Sequence, residues 1–399
     1  MLSYLTSGES HGRQLTAILD GLPAGLPISI DRINYQLARR QKGFGRGERM
    51  KIEKDEVEIV SGVRDGLAMG GPITLIIHNR DWPRWAQTMK PFRKEVTRAD
   101  GLQSTLDDKL SHPRPGHADL TGAVKWNHKD IRNVLERASA RETAARVALG
   151  ALTRQLLEHF RVLFTSHVIG LGSIRLPSTF KPPPVTDIIN LSEASEVRCI
   201  DPDTSRSMID LIRTAAEQGD TLGGVAEIII SGLPVGLGGF SQWFHRLDSR
   251  LAAMMMSVPS VKGVEIGSGF SSTIQKGSEI HDEIFYDING AEAKKGFYRL
   301  TNHAGGIEGG VTNGEDIIIR VGGKPLATLK QPLSTVDIVS KKPVKAIVER
   351  SDTCIIPSLA VICENAASLI LAEAFLDKFG TDNLQETERN YRAFLQTEF

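Results

Sequence analysis

The feature that most limits how this chain can fold is a long apolar helix near its C-terminal end. The residues from about Ser358 to Lys378 are rich in Ala, Leu and Ile, and Gly380 follows in the position where glycine commonly ends a helix. A helix that is apolar on most sides must be covered by other elements on most sides. We therefore expect it to lie in the interior of a globular protein. We find no apolar run of the ~20 residues that a membrane-spanning helix needs, and we expect no membrane partner.

Two further helices and several strand-like runs predict a mixed α and β protein whose helices are buried on most sides. Ser139, followed three residues later by Glu142, matches the capping-box pattern and predicts a helix from Thr143 to about Phe160. A second helix is predicted over 204–217. The strand-like runs are Glu58–Val63, Ile73–Ile77, Val162–Ile169, Ala226–Ile230 and Ile317–Val321.

One short motif occurs twice, about half the chain apart. Gly21-Leu22-Pro23-Ala24-Gly25-Leu26 returns as Gly232-Leu233-Pro234-Val235-Gly236-Leu237, and each copy follows a strand-like run. Two explanations stay open at this point, a coincidence between Gly/Pro turns and an ancient duplication. We expect a single domain over 1–399, with similar halves at roughly 1–200 and 201–380 and a polar tail at 381–399.

Composition excludes several classes of protein. The 48 Lys and Arg residues balance 48 Asp and Glu residues, which argues against a protein that holds a polyanion by bulk charge. Three cysteines without a CxxC pair, and an N-terminus without an export signal, indicate a reduced, cytoplasmic protein. The 38 glycines allow many tight turns, but no GxGxxG or Walker loop occurs. A Rossmann dehydrogenase and a P-loop kinase are therefore excluded.

Histidines in rigid glycine-rich turns are the first candidates for chemistry. His11 lies in Gly8-Glu9-Ser10-His11-Gly12, His117 lies in Arg114-Pro115-Gly116-His117-Ala118-Asp119, and His303 lies in Asn302-His303-Ala304-Gly305-Gly306. Such settings favour loops that are shaped around a ligand. An alternative is a metal hydrolase that uses His112, His117 and Asp119, although the spacing is not typical of a zinc site.

Arginine is the second theme. Residues 32–54 contain eight basic side chains and only two acids, and they include the glycine-rich loop 42–47. Three interpretations stay open: a solvated surface, a nucleic-acid binder that also uses Trp82 and Trp85, and a pocket for a small polyanion. Arg137-Ala138-Ser139-Ala140-Arg141 favours the pocket, because it precedes a predicted helix N-terminus that attracts anions. Arg350 and Asp352, before the apolar helix, form either a salt bridge or an acid with an altered pKa.

These segments together resemble the chorismate synthase family. The N-terminal motif is matched by Gly8–Gly12 with Leu19-Asp20-Gly21-Leu22-Pro23, the central motif by 136–144, and the C-terminal motif by 350–354 with Glu364. Further matches lie at 114–119, 261–267, 302–306 and 324–325. The matches occur in family order over positions 8 to 364.

The resemblance implies a carbon–oxygen lyase that acts on a phosphate ester. The family converts 5-enolpyruvylshikimate 3-phosphate to chorismate by 1,4-anti elimination of phosphate, the last step of the shikimate pathway of aromatic amino-acid biosynthesis. It requires reduced FMN, and the sequence leaves open whether NADPH serves as the reductant. The implied fold is α+β, a helical core sandwiched between antiparallel β-sheets and internally pseudo-duplicated, assembled as a homotetramer. No metal or nucleic acid is implied.

The resemblance also assigns site residues by position. His11 would protonate the departing phosphate, His117 would face the flavin and manage its protonation, and Asp352 would help to remove the hydrogen at C6. The substrate or NADP anions fall on Arg40, Arg46, Arg49, Arg114 and Arg141. The FMN contacts fall on Arg137, Ala138, Ser139, Pro259, Ser260, Gly309, Lys324, Pro325, Leu326, Ala327, Thr328 and Arg350.

Overall fold

The computed structural model describes residues 2–47, 53–92, 109–177 and 179–397. The helices within these ranges are α1 (Ile30–Gln41), α2 (Trp82–Trp85), α3 (Asp119–Trp126), α4 (Arg132–Leu135), α5 (Thr143–His159), α6 (Val185–Ala194), α7 (Pro202–Glu217), α8 (Leu247–Met256), α9 (Gly277–Ile280), α10 (Ile356–Phe379) and α11 (Leu384–Gln396). Short 3-10 turns lie at Ala140–Glu142, Trp243–His245, Gly269–Ile274 and Glu292–Lys294. The strands are β1 (Ser3–Ser7), β2 (Gln14–Asp20), β3 (Val57–Ser61), β4 (Val63–Arg64), β5 (Leu67–Ala68), β6 (Ile73–His78), β7 (Leu163–Leu171), β8 (Ile174–Arg175), β9 (Gly224–Ser231), β10 (Val261–Ile266), β11 (Ile284–Tyr286), β12 (Phe297–Arg299), β13 (Ile307–Glu308), β14 (Val311–Thr312), β15 (Ile317–Gly323), β16 (Ser334–Val336) and β17 (Pro343–Lys345).

Two antiparallel sheets form the outer layers. The first has the strand order β1-β2-β6-β3 and the second has the order β10-β15-β9-β7-β8. In the first sheet, buried and less buried residues alternate along β2 and β6, and Leu15 pairs with Ile77 across the ladder. This alternation places one apolar face toward the interior. The strand-like runs of the sequence correspond to β3, β6, β7, β9 and β15, within a few residues at each end.

Two core helices fill the space between the sheets. Helix α5 packs against β2 and β6 of the first sheet, α10 packs against β7 and β9 of the second, and α1 contacts both helices. At the α5–α10 crossing a Cβ on Gly150 would collide with the backbone of Asn365, so this approach requires glycine. The predicted α+β sandwich with a helical core is confirmed.

Three expectations from the sequence were wrong in detail. Helix α10 is long and apolar enough to cross a membrane by length and composition, but 89% of its apolar window is buried inside the protein, as in a core helix. Helix α7 is buried along one stripe only, at Thr204, Met208, Ile212 and Ala215, because polar residues occupy the rest of its surface. The segment 384–396 is a helix rather than a tail, and Tyr391 and Phe394 pack against the core.

The two copies of the repeated motif share a backbone conformation. Gly21 and Gly25 have φ values of 94° and 82°, and Gly232 and Gly236 have 87° and 90°. The first copy follows β2 and the second follows β9, one central strand in each sheet. All four positions lie in the left-handed region that favours glycine, as Gly/Pro turns of either origin require, so the duplication stays a prediction.

A buried carboxylate ties several of these layers together. Glu364 on α10 accepts hydrogen bonds from Arg39 on α1 at 2.7 and 2.9 Å, from Arg154 on α5 at 2.7 Å and from the Ser166 hydroxyl on β7 at 2.5 Å. Its side chain is fully buried. Burial opposes its ionisation, but the charges of Arg39 and Arg154 hold the pKa of Glu364 well below its usual value. The cluster therefore carries charge in the interior and joins both core helices to the second sheet.

We predict that Glu364→Gln lowers the free energy of unfolding by about 3–5 kcal/mol at pH 7, because Arg39 and Arg154 lose their fully buried counter-ion and keep only the more exposed Glu193 and Glu158. A carboxylate with a lowered folded-state pKa stabilises above its unfolded-state pKa, so the difference from wild type should narrow as pH falls below 4.5. Urea titrations at pH 7 and pH 3 measure both effects. Glu388→Gln, in a more exposed ion pair, is the control and should cost under about 1 kcal/mol. Equal stability of Glu364→Gln and wild type would contradict a structural role for the cluster.

Candidate active site

A cavity of about 480 Å³ opens where the two core helices begin. This volume lies in the range of pockets that bind cofactors and small ligands. Thr143, at the start of α5, and Ser358, in the first turn of α10, both lie on its wall. The predicted site residues that line it are His11, Arg40, Arg46, Arg114, His117, Ala138, Ser139, Arg141, Pro259, Ser260, Lys324, Leu326, Ala327, Thr328, Arg350 and Asp352.

His11 lies in the turn between β1 and β2. Gly8, at a φ of 109°, allows the chain to turn there, because a Cβ would collide with the carbonyl of Gln14. The Nδ1 atom of His11 lies 3.0 Å from both carboxylate oxygens of Glu136, and its ring stacks on Trp85 with centroids 4.0 Å apart. Burial opposes ionisation of Glu136, but its bond to His11 lowers the pKa of that carboxyl.

His117 lies in the Pro/Gly turn that precedes α3. Its Nδ1 atom is 2.5 Å from Oδ1 of the fully buried Asp119, whose Oδ2 accepts from Nε of Arg114 at 2.8 Å. Burial opposes ionisation of Asp119, but the bonds to His117 and Arg114 hold its pKa well below the usual value. The site therefore contains a second histidine–carboxylate pair, and His117 is one-fifth exposed toward the cavity.

Two arginines on the cavity wall share one buried acid. Arg141 donates to Asp55 at 2.5 and 2.6 Å and to Asn79 at 2.9 Å, while Nη1 of Arg40 lies 3.4 Å from Asp55. Burial lowers the pKa of Arg40 to about 10. Asp55 offsets part of the charge of these two arginines and fixes the orientation of their guanidinium groups. The arginines still contribute a positive potential to the cavity.

Asp352 is paired differently from the sequence-based expectation. Its partner is Arg46 at 2.9 Å, and the backbone N–H of Gly47 donates to it at 2.6 Å. Arg350 instead pairs with Asp81 at 2.9 Å. The expected Arg350–Asp352 salt bridge is therefore wrong, since the two side chains bond to different loops. Arg49, predicted as an anion contact, lies outside the described residues.

Three predicted flavin contacts do not line this cavity. Arg137 donates instead to the carbonyl and hydroxyl of Thr6 on β1, at 3.1 and 3.0 Å. Gly309 lies in the turn between β13 and β14, at a φ of 60°, and Pro325 is exposed. Of the two arginines in the segment 137–141 that favours an anion pocket, only Arg141 therefore lies on the cavity wall, where it is paired with Asp55.

Lys262 is a cavity residue to which the sequence analysis gave no role. It lies on β10 beside Lys324, and burial together with the charge of Lys262 lowers the pKa of Lys324. Within the part of the chain that the structure describes, neither lysine has a carboxylate within 4.0 Å. Glu136, Asp55 and Asp81 were missed as well, and Asp119 was named only as a candidate metal ligand. Glu136 lies in the central motif 136–144, whereas no motif marked Asp55 or Asp81.

The structure does not support the two alternative functions, a metal hydrolase and a nucleic-acid binder. His112 lies 3.2 Å from Asp337 rather than with His117 and Asp119, and the described ranges contain no group of three or more potential metal ligands. Trp85 packs on His11 instead of facing outward as a stacking surface for bases. The geometry favours acid–base chemistry on a small anion.

A cationic cavity with two histidine–carboxylate pairs and a further carboxylate defines an acid–base enzyme that acts on a small polyanion. The family model for chorismate synthase matches residues 2–376. The chain is 51% identical to the chorismate synthase of Geotalea daltonii over 398 residues, covering 99% of both chains, and 48% identical to that of Alkaliphilus metalliredigens over 396 residues, also covering 99% of both. A crystal structure of chorismate synthase matches with a TM-score of 0.77 and 36% identity, over 99% of this chain and 97% of that one. The chain belongs to the chorismate synthase family, whose members are lyases that catalyse the last step of the shikimate pathway and require a reduced flavin.

We predict that Asp55→Asn destabilises the protein by about 3–5 kcal/mol, because Arg40 and Arg141 lose a buried counter-ion. Inorganic phosphate should restore part of this loss by entering the cavity and pairing with the guanidinium groups that Asp55 no longer neutralises. Thermal unfolding midpoints in phosphate and in chloride of equal ionic strength measure the effect. Glu227→Gln is the control, because Glu227 is a buried partner of His167 and Arg320 away from the cavity. The interpretation fails if phosphate raises the midpoints of both variants equally.

Proposed function

We propose that this protein converts 5-enolpyruvylshikimate 3-phosphate to chorismate by 1,4-anti elimination of phosphate with reduced FMN bound in the cavity. The observation that carries this assignment is the meeting of His11, His117 and Asp352 on one cationic wall. These residues are separated by more than a hundred positions from one to the next, and only the fold brings them together.

Substrate binding is assigned to the arginines. The substrate carries a phosphate and two carboxylates, and arginine forks suit such groups. Arg40, Arg114 and Arg141 are held by buried carboxylates before any ligand arrives, so little side-chain order is lost on binding. Arg46, on the glycine-rich loop, can exchange Asp352 for a substrate anion.

Departure of the phosphate requires an acid. The C–O bond breaks with its electron pair leaving on the phosphate oxygen, and we assign to Nε2 of His11 the proton that neutralises it. Because Nδ1 faces Glu136, we assign this transfer to Nε2, the other ring nitrogen. Removal of the hydrogen at C6 is assigned to Asp352, and management of the flavin's protonation is assigned to His117.

The residues present fit a reduced flavin. Lys324 and Arg350 supply cationic groups, Thr328 supplies a hydroxyl, and residues 257–260 line the same cavity. Ser260 adopts a φ of 77° and accepts the backbone N–H of Lys324 at 2.9 Å, which joins two of these segments. Such a donor set suits a phosphate tail and an anionic ring. When bound, reduced FMN supplies the electron-rich ring that the reaction needs, and the elimination has no net redox change.

The remaining parts of the proposal concern assembly and the reductant. A homotetramer is supported by large exposed apolar side chains, among them Phe240, Trp243 and Phe270, each more than 70% exposed. A reduced, cytoplasmic setting is supported by three free, buried cysteines. NADPH is proposed as the reductant.

The first test is phosphate release from 5-enolpyruvylshikimate 3-phosphate with dithionite-reduced FMN under anaerobic conditions. Wild-type protein should release phosphate and form chorismate, and His11→Ala or His117→Ala should slow turnover by about 10²-fold or more. His281→Ala, at an exposed position, is the matched control. Absence of chorismate formation by the wild type would refute the proposed function. Replacing dithionite by NADPH in the same assay tests the reductant.

The second test concerns Asp352. We expect Asp352→Asn to keep FMN and substrate binding near normal, because asparagine can still accept the N–H of Gly47. Turnover should fall by about 10²-fold or more, and the isotope effect with C6-deuterated substrate should rise, because a basic group is lost. Asp210→Asn, on the surface of α7, is the control. Full turnover of Asp352→Asn would leave Asp352 as a partner of Arg46 alone.

A further inference from the structure

We propose that Glu136 is the positioning residue for His11 and fixes which ring nitrogen faces the substrate. The Glu136 side chain is fully buried. It accepts the backbone N–H of His11 at 2.8 Å and lies 3.0 Å from the Nδ1 atom of the same residue. The backbone carbonyl of Glu136 also accepts the N–H of Ser10 at 2.9 Å. One residue therefore holds both the loop and the ring.

The surroundings leave the imidazole little freedom to rotate. Trp85 stacks on one face of His11, and the guanidinium carbon of Arg132 lies 5.1 Å from the centre of the Trp85 ring. Arg132 also donates to Glu136 at 3.1 Å. Arg132, one helical turn before Glu136, therefore holds the Glu136 carboxylate. It also covers the indole of Trp85, which packs on the His11 ring. These contacts join the four residues into one cluster beside the cavity.

This geometry selects one tautomer. An ionised carboxylate only accepts hydrogen bonds, so it requires a proton on Nδ1 of His11. The Nε2 atom then becomes the nitrogen that gains and loses the second proton. When the phosphate departs, the proton on Nε2 goes to the leaving oxygen, and the proton on Nδ1 stays on the ring, donated to the Glu136 carboxylate. Glu136 also stabilises the charged ring before transfer, in the way that buried acids support histidines in other acid–base enzymes.

The second histidine has different neighbours at Nδ1. Nη2 of Arg114 approaches Nδ1 of His117 to 3.0 Å while Asp119 lies 2.5 Å from the same atom, so an arginine and a carboxylate compete for it. At His11 the approach to Nδ1 comes from Glu136, and Arg132 contacts that carboxylate instead of the ring. With a carboxylate at Nδ1, His11 is suited to release its proton from Nε2. We assign the positioning of His11 for this release to Glu136.

The inference rests on the proposed lyase reaction, and its test has one arm that does not depend on turnover. In protein labelled with 15N-histidine, the His11 signals are assigned by their loss in His11→Ala. Neutral His11 of the wild type should carry its proton on Nδ1. Glu136→Gln should mix the two tautomers, because the amide can also donate to the ring. A wild-type ring protonated on Nε2, or an unchanged tautomer in Glu136→Gln, would overturn the proposal whatever the reaction proves to be.

The kinetic arm separates positioning from a purely structural role. Glu136→Gln should lower kcat by about 10²-fold with KM close to wild type, and Glu136→Asp, which keeps the charge, should recover part of kcat. Glu142→Gln is the matched control, since Glu142 is a buried acid that pairs with Arg146. Equal kcat in Glu136→Gln and wild type would contradict the proposal. If Glu136→Gln does not fold, the wild-type tautomer and the kcat of Glu136→Asp still decide the question.

Discussion

The site depends on carboxylates that lie behind its arginines. Arg40 and Arg141 share Asp55, Arg114 is paired with Asp119, and a similar arrangement around Glu364 holds the core. A guanidinium that is removed from water without a counter-ion would cost several kcal/mol. The acids therefore allow a cationic pocket to exist in the interior, and they fix the direction of each side chain before a ligand arrives. Stability and preorganisation here come from the same contacts.

The two core helices give this charge pattern its position. Helices α5 and α10 cross closely at Gly150, and the N-terminal end of each lies beside the cavity. Free N–H groups at helix N-termini favour anions, so the helix ends and the arginines act in the same direction. The sheets contribute by carrying loops to this point: the turn between β1 and β2 presents His11, and the segments that flank β10 and β15 present Ser260 and Lys324. The sandwich is thus a means of bringing distant loops to one opening.

Much of this arrangement could be predicted from the sequence, and the failures have physical causes. Apolar periodicity located the core helices and central strands, because burial determines that pattern. Motifs located His11, His117 and Asp352 as candidates. The local sequence could not show that Arg137 donates to Thr6 or that Arg350 pairs with Asp81. Such partners are determined by tertiary geometry. Glu136 belongs to the central motif 136–144, but the local sequence does not indicate that its carboxylate contacts the His11 ring.

The contact between Arg39 and Glu364 joins residues 325 positions apart, and it has a consequence for how the protein is made. A ribosome synthesises the N-terminal sheet long before α10 emerges, so in the nascent chain the inner face of this sheet is uncovered and Arg39 lacks Glu364, its buried counter-ion. Neither the core nor the cavity can be completed during most of translation. Folding that depends on contacts between distant parts of a chain is slow in general, and apolar surface stays exposed until those contacts form. Synthesis of this protein should therefore place a demand on the chaperones that shield unfinished chains.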